Sequence, residues 1–270
     1  MTTQRPEWIP SDVDTDVPSA ARVYDYFLGG AHNFAVDRAL AAQIASITPG
    51  IGETMRANRE FLRRAVRFLA GAGIRQFLDL GSGIPTVGNV HQIAQQIAPD
   101  AVVVYVDIDP IAVAHSKAIL AGNDRTAVLQ ADVRDCAKIL ASPEVRGMLD
   151  FTAPMAVLLA GVLHFVPDSD DLPSIVAGLR DALAPGSYMV ISNATSEGQP
   201  PEIIEAQKLS ARTSTEIVLR SKADLLEQFR GLTLVEPGLV YLALWRPDSP
   251  AAVGEDPEQA AAFGGVARKD

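Results

Sequence analysis

A single cysteine, Cys136, in 270 residues excludes an internal disulfide and leaves no thiolate cluster for a metal. A reduced, cytoplasmic setting is therefore expected. His91 and His115 have no partner at ligand spacing, so no metal site is expected. No run approaches 18 consecutive apolar residues, which argues against a membrane span. The opening residues "MTTQRPEWIPSDVDTD" lack the apolar core of a secretory signal. Positive charge is also scarce: 23 Lys and Arg stand against 33 Asp and Glu, a net of −10. Residues 1–20 and 247–270 each contribute −3, leaving −4 for the body. An acidic body argues against generic nucleic-acid binding, because phosphate neutralisation needs a basic surface.

What is present falls into two textures. Three helical patterns come first, over about 19–28, 33–47 and 53–70, with Ser19 and Asn33 as caps of the first two. In the third, Met55, Leu62, Val66 and Leu69 share an apolar face, and Arg56, Arg59, Arg63 and Arg67 share a basic one. From Gln76 onward, short apolar strands (76–80, 101–106, 127–130, 155–160, 187–192) alternate with helical patterns (88–98, 111–121, 135–147, 171–184). Continuous Val, Leu and Ile runs mark strands covered on both faces. The alternation then predicts right-handed crossovers and a doubly wound parallel sheet. After helices near 201–212 and 221–229, "LTLVE" and "LVYLALW" are joined only by Pro237-Gly238, too short for a parallel crossover. An antiparallel hairpin is expected there. Residues 1–18 and 248–270 read as flexible tails, 19–73 as an N-terminal helical lid and 74–247 as the ligand-binding domain.

The strongest local signal is "FLDLGSGIPTVGNV", residues 77–90. Gly81 and Gly83 permit a tight turn and close approach of a ligand to the backbone. The third glycine of a dinucleotide loop would fall at position 86, where Thr86 stands. The second strand ends in "YVDIDP", with Asp107 lying 24 residues after Gly83, near the separation at which an acidic residue meets a ribose diol. Asp109, followed by Pro110, reads as a helix cap. Asp132 in "LQADVRD" stands one strand further on, as an acceptor for an adenine amino group or as another cap.

"FLDLGSG", "YVDIDP" and "QADVRD", in that order and spacing, resemble a class I S-adenosylmethionine-dependent methyltransferase. Together with "ARVYDYFLGGAHNFAVDR", "VLLAGVLHFVPD" and "LVEPGLV", they resemble the bacterial S-adenosyl methyltransferase family, formerly catalogued as a domain of unknown function, over roughly residues 18–247. That resemblance implies a seven-stranded doubly wound α/β sheet with an antiparallel C-terminal hairpin, and S-adenosyl-L-methionine as cofactor. It also implies cofactor contacts for Asp79, Gly81, Ser82, Gly83, Asp107, Ile108, Asp132, Val133, Ala160 and Gly161.

Other assignments come from the residues. Tyr26, His32 and Asn33 are expected to face the cofactor's methionyl end or the acceptor, or else to form a capped helix hairpin with Arg22–Asp25 or Asp37–Arg38 as surface pairs. Arg59 is the arginine expected to pair the cofactor carboxylate, against a merely solvated basic face. His164 is the one titratable side chain after the fourth strand, as acceptor-binding catalytic base or structural histidine. The missing Asn-Pro-Pro-aromatic signature argues against nucleic-acid base methylation, so an O or N nucleophile on a small molecule is the expected acceptor. Two rival readings are a non-catalytic cofactor-binding protein and an NAD(P)-dependent oxidoreductase. Against the latter stands the absence of a Tyr-x-x-x-Lys hydride-site motif.

Overall fold

The computed structural model describes residues 14–85, 88–199 and 217–270. Three helices precede the sheet: α1 (Ala20–Phe27), α2 (Ala35–Ile47) and α3 (Ile51–Gly71). Strands β1 (Gln76–Leu80), β2 (Val102–Asp107), β3 (Thr126–Gln130), β4 (Ala156–Ala160) and β5 (Tyr188–Ala194) are all parallel to their neighbours among these five. Between them run α4 (Val90–Ile97), α5 (Pro110–Ile119), α6 (Cys136–Ala141), α7 (Pro143–Met148) and α8 (Leu172–Ala182). One helix was expected over 135–147. Ser142, extended ahead of Pro143, divides it and caps α7 by accepting from the Val145 N–H.

With β6 (Thr233–Leu234) and β8 (Ala262–Arg268) added, the strand order is β3-β2-β1-β4-β5-β8-β6, with the reversal at β1 and β4 that makes a switch point at the carboxyl edge. One core layer joins α3 and α4 to the sheet through Phe61, Leu69, Phe77, Val103 and Trp245. The other joins α6, α7 and α8 through Ile139, Val145, Leu159, Val176 and Leu179. The interiors of β1, β2, β4 and β5 are buried on both faces, as their uninterrupted apolar runs require, while the edge strand β3 is only partly buried. α3 is thus a layer of the body, and only α1 and α2 of the 19–73 segment stand outside it.

Three expectations about the C-terminal part need correction. The sheet has eight strands among the described residues, not seven. Residues 248–270 are not a tail: they contain β8 (Ala262–Arg268), six of whose seven residues are buried. β8 runs antiparallel to β5 over its whole length. Finally, β6 (Thr233–Leu234) and β7 (Val240–Tyr241) pair with opposite ends of β8 instead of with each other. The C-terminal end of the sheet is antiparallel, as expected, but β8 is the strand that organises it. The rest of "LVYLALW" turns through a short 3₁₀ segment, Leu242–Leu244, and drives Trp245 into the core.

The sequence hid β8 behind Gly264-Gly265, which lowers strand propensity. Packing explains the pair. A Cβ at Gly264 would lie 2.9 Å from Leu242 Cδ2 and from the Phe61 ring, and one at Gly265 would lie 3.1 Å from Phe229. The glycines let α3 and the 3₁₀ segment close on β8. The helix expected at 201–212, Thr86, and the N-terminal stretch through residue 13 lie outside the described residues. A short helix, α9 (Lys222–Glu227), precedes β6, capped by Ser221 with Asp224 in a capping box. Among the described residues no helix is long and apolar enough to cross a membrane.

Candidate functional site at the carboxyl edge of the sheet

The chain leaves β1 through Gly81 and Gly83, at φ 70° and 67°, a region glycine enters without strain. The Gly81 and Ser82 N–H groups both donate to the Val106 carbonyl. Gly81 sits against Val162: a Cβ there would lie 2.4 Å from Val162 Cγ2. Gly83 donates its N–H to Asp107 Oδ2 at 2.7 Å and has open space where a Cβ would be. The loop after β1 is therefore built onto the last residue of β2.

Asp107 is 8% exposed and accepts a second N–H, from Asp109, at Oδ1 (2.8 Å). Burial pushes its carboxyl up to about 6, against the lowering effect of the Asp109 and Gly83 N–H groups. Asp109 is the cap of α5, accepting from the Ile111 and Ala112 N–H groups at 2.7 and 3.2 Å. Asp79, one strand over, is 4% exposed, and burial raises it to about 7 while the Arg59 charge lowers it. Two buried carboxylates thus meet at the ends of adjacent strands. Beside them Ile108 is 59% exposed, an apolar side chain offered to whatever occupies the edge.

Asp132 takes the cap role. It accepts from the Arg134 N–H at 2.9 Å and pairs with the Arg134 guanidinium, which also reaches Asp170. Burial alone would raise the Asp132 pKa; Arg134 holds it below the usual value. Val133 packs partly buried against the core below.

Beyond β4, Gly161 donates its N–H to the Ser192 carbonyl of β5 (3.1 Å), and a Cβ on it would meet Asn58 Nδ2 at 2.9 Å. Ala160 is half-buried just before it. His164 follows in a 3₁₀ turn, its Nδ1 buried with no hydrogen-bond partner. Burial, reinforced by the Arg220 charge, lowers its pKa to about 4, so the ring is neutral at pH 7. Arg220 itself fixes this turn, donating to the Leu163 and Val166 carbonyls at 2.8 and 2.7 Å.

The N-terminal motif differs most from expectation. Tyr26 is 38% exposed and lines a groove of about 380 Å³ with α2 and the start of α3. Tyr24 instead reaches the site: its hydroxyl donates to the Met55 carbonyl (2.9 Å) and accepts from Asn58 Nδ2 (3.1 Å). Ser192 Oγ donates to Asn58 Oδ1 at 2.5 Å, so Asn58 joins α1, α3 and β5. Sequence reading missed Tyr24, Asn58 and Ser192. Tyr24 lies inside the motif, but no local signal marks the other two. Arg59 stands where its charge acts on both Asp79 and Tyr24.

His32 packs edge to face on His115 of α5, with ring centroids 4.1 Å apart and Nδ1 3.8 Å from Asp25 Oδ1. Asn33 is not the cap of α2; Phe34 is, its N–H donating to Asp37 Oδ2 at 2.7 Å. Asn33 Nδ2 donates to Asp25 Oδ2 and the Gly30 carbonyl. The expected surface pairs give way to buried pairs of Arg22, with Asp37 (Nε to Oδ2, 2.8 Å) and with Asp109 (Nη1 to Oδ2, 3.6 Å). Asp37 is the nearer partner because it is also the N3 residue of α2, held at its start. A second concavity, of about 710 Å³, is formed by Pro99, Asn123 and Arg125 at the amino edge, away from all these groups. No cluster of described residues could hold a metal ion.

Known proteins share this fold. A candidate methyltransferase from Thermobifida fusca YX has 44% sequence identity and a TM-score of 0.92, covering 98% of this chain and 100% of its own. A DUF574 family protein from Streptomyces avermitilis MA-4680 has 43% identity and a TM-score of 0.91, covering 95% and 99%. The N-methyltransferase NodS of Bradyrhizobium japonicum WM9, determined with S-adenosyl-L-homocysteine, shares the fold at 13% identity and a TM-score of 0.51, over 92% and 98%. No curated protein matches the chain. The model of the S-adenosyl methyltransferase family matches residues 6–270, and the chain belongs to that family, with a class I methyltransferase fold and S-adenosylmethionine as cofactor.

Proposed function

We propose that the protein transfers a methyl group from S-adenosylmethionine to an O or N nucleophile of a small molecule, at the carboxyl edge of β1, β2, β4 and β5. The observation that carries this reading is the pair of buried carboxylates, Asp79 and Asp107, flanking an open glycine loop beside the exposed Ile108. Those residues fit the cofactor. Asp107 keeps lone pairs for ribose hydroxyls after accepting two N–H groups. Ile108 offers an apolar surface to adenine, with Asp132 and Val133 at its edge. Asp79 suits a cationic amino-acid end, and Arg59 its carboxylate. Ala160, Gly161 and Ser82 contribute backbone around it.

Bound there, the cofactor supplies a methyl already activated on a sulfonium. Positioning and exclusion of water are what remains for the protein. His164, neutral and with a free Nδ1, accepts a hydrogen bond from the nucleophile's O–H or N–H and aligns it. Tyr24 replaces Tyr26 as the aromatic hydroxyl of the N-terminal segment at the site. His32 and Asn33 hold the turn beside it through Asp25. The acidic charge balance favours a small acceptor over a nucleic acid.

Incubation with methyl-tritiated S-adenosylmethionine and a fractionated metabolite extract tests this directly. Label in a small-molecule fraction is expected. Label in protein or nucleic acid would contradict the acceptor class. Cofactor binding without transfer to any fraction would make the chain a cofactor-binding protein without catalysis.

A further inference from the structure

We propose that α1 is a polar latch over the cofactor site, closed by Ser19 and Arg22 on Asp109 and by Tyr24 on Asn58, and that its opening limits release of the demethylated cofactor. This rests on the cofactor reading above.

The helix is attached in an unusual way. Its buried residues are Arg22, Val23 and Asp25, so two of three carry charge. Its apolar contacts are few: Val23 is buried, and Ala21 with Phe34 lies against the small cluster of Ile84, Ile111 and Ala112. A helix docked on apolar area is held by the hydrophobic effect. A helix docked on polar contacts exchanges them for water when it lifts, at small net cost.

Both attachments end beside cofactor-binding residues. On one side Ser19 Oγ donates to the Asp109 carboxylate, and Arg22 Nη1 stands 3.6 Å from Asp109 Oδ2. Asp37 braces both, accepting from the Ser19 N–H at 3.0 Å and from Arg22 Nε at 2.8 Å. Asp109 in turn donates its N–H to Asp107. On the other side the Tyr24–Asn58–Ser192 chain ends against Gly161. α1 therefore spans from the end of β2 to the ends of β4 and β5, across the loop after β1. Asp79 and Asp107 themselves are only 4% and 8% exposed. A ligand at those carboxylates leaves only when the span lifts.

The test uses the full chain and S-adenosylhomocysteine as probe. Stopped-flow displacement gives its dissociation rate, and hydrogen exchange follows the amides of residues 20–27. Saturating S-adenosylhomocysteine is expected to slow exchange across α1. Ser19→Ala and Tyr24→Phe, which each remove one hydroxyl, are expected to raise the dissociation rate about tenfold. Thermal melts identify any variant that has simply lost its fold. A helix that exchanges equally with and without bound ligand, or two folded variants with wild-type dissociation rates, would overturn the latch alone. Wild-type protein that does not bind S-adenosylhomocysteine would overturn the cofactor reading and the latch with it.

Discussion

Asp107→Ala is expected to weaken S-adenosylmethionine binding by roughly two to three orders of magnitude, with the fold intact. The carboxylate has two tasks. It presents charged acceptors to ribose hydroxyls, each hydrogen bond to a charged group being worth about 1.5–3 kcal/mol. It also anchors the glycine loop through the Gly83 N–H and the following turn through the Asp109 N–H. Removing it loses both, about 3–4 kcal/mol, which is the stated change in affinity. Calorimetric titration of the variant beside the wild type measures it.

The pH dependence carries the same signature. The carboxyl titrates near 6 in the free protein, so affinity is expected to fall as pH drops below that value. Stability moves the other way. Folded Asp107 holds its proton up to about 6, whereas an unfolded aspartate releases it near its ordinary value of 3.8. Between those limits the native state binds more protons, so this group's contribution to stability declines as pH rises. Asp107→Asn, whose Nδ2 would face one of the two N–H groups the carboxylate accepts, is expected to lose this pH dependence and to bind the cofactor more weakly.

Truncation after Ala261 is expected to abolish folding. β8 supplies the whole antiparallel edge of β5, and β6 and β7 pair with it. Deleting it exposes β5, strands two short segments without partners, and removes Phe263, Val266 and Ala267 from the core. A buried Phe lost to a cavity costs about 3–5 kcal/mol by itself. Added to a lost seven-residue ladder, that exceeds the roughly 5–15 kcal/mol margin of a typical domain. Soluble yield and circular-dichroism melting give the answer. A soluble, cooperatively melting truncation would mean that residues 262–270 are a tail after all.

The contrast between that strand and the others shows where sequence is informative. β1, β2, β4 and β5 are buried on both faces, so each writes itself as an apolar run between turn residues. β8 reads "AFGGVAR", and its glycines answer to Phe61, Leu242 and Phe229, residues distant in the chain. Nothing local reveals that demand. The cofactor-side motifs were legible because the glycine loop and Asp107 each follow a strand and are bound to one another. The N-terminal motif was visible as dense in polar and aromatic groups, but its orientation was not. Tyr24 and Tyr26 lie on different faces of α1, and only the docking against α3 decides that Tyr24 meets Asn58. Asn58 and Ser192 stand 134 residues apart, a contact that spacing cannot announce.

Titration of the purified wild-type protein with S-adenosylmethionine, S-adenosylhomocysteine and NAD tests the central claim most directly. The carboxylates at the ends of β1 and β2, with no pyrophosphate-binding third glycine in the loop, predict micromolar binding of the first two and none of NAD. Binding of NAD alone, or of none of the three, would contradict the account.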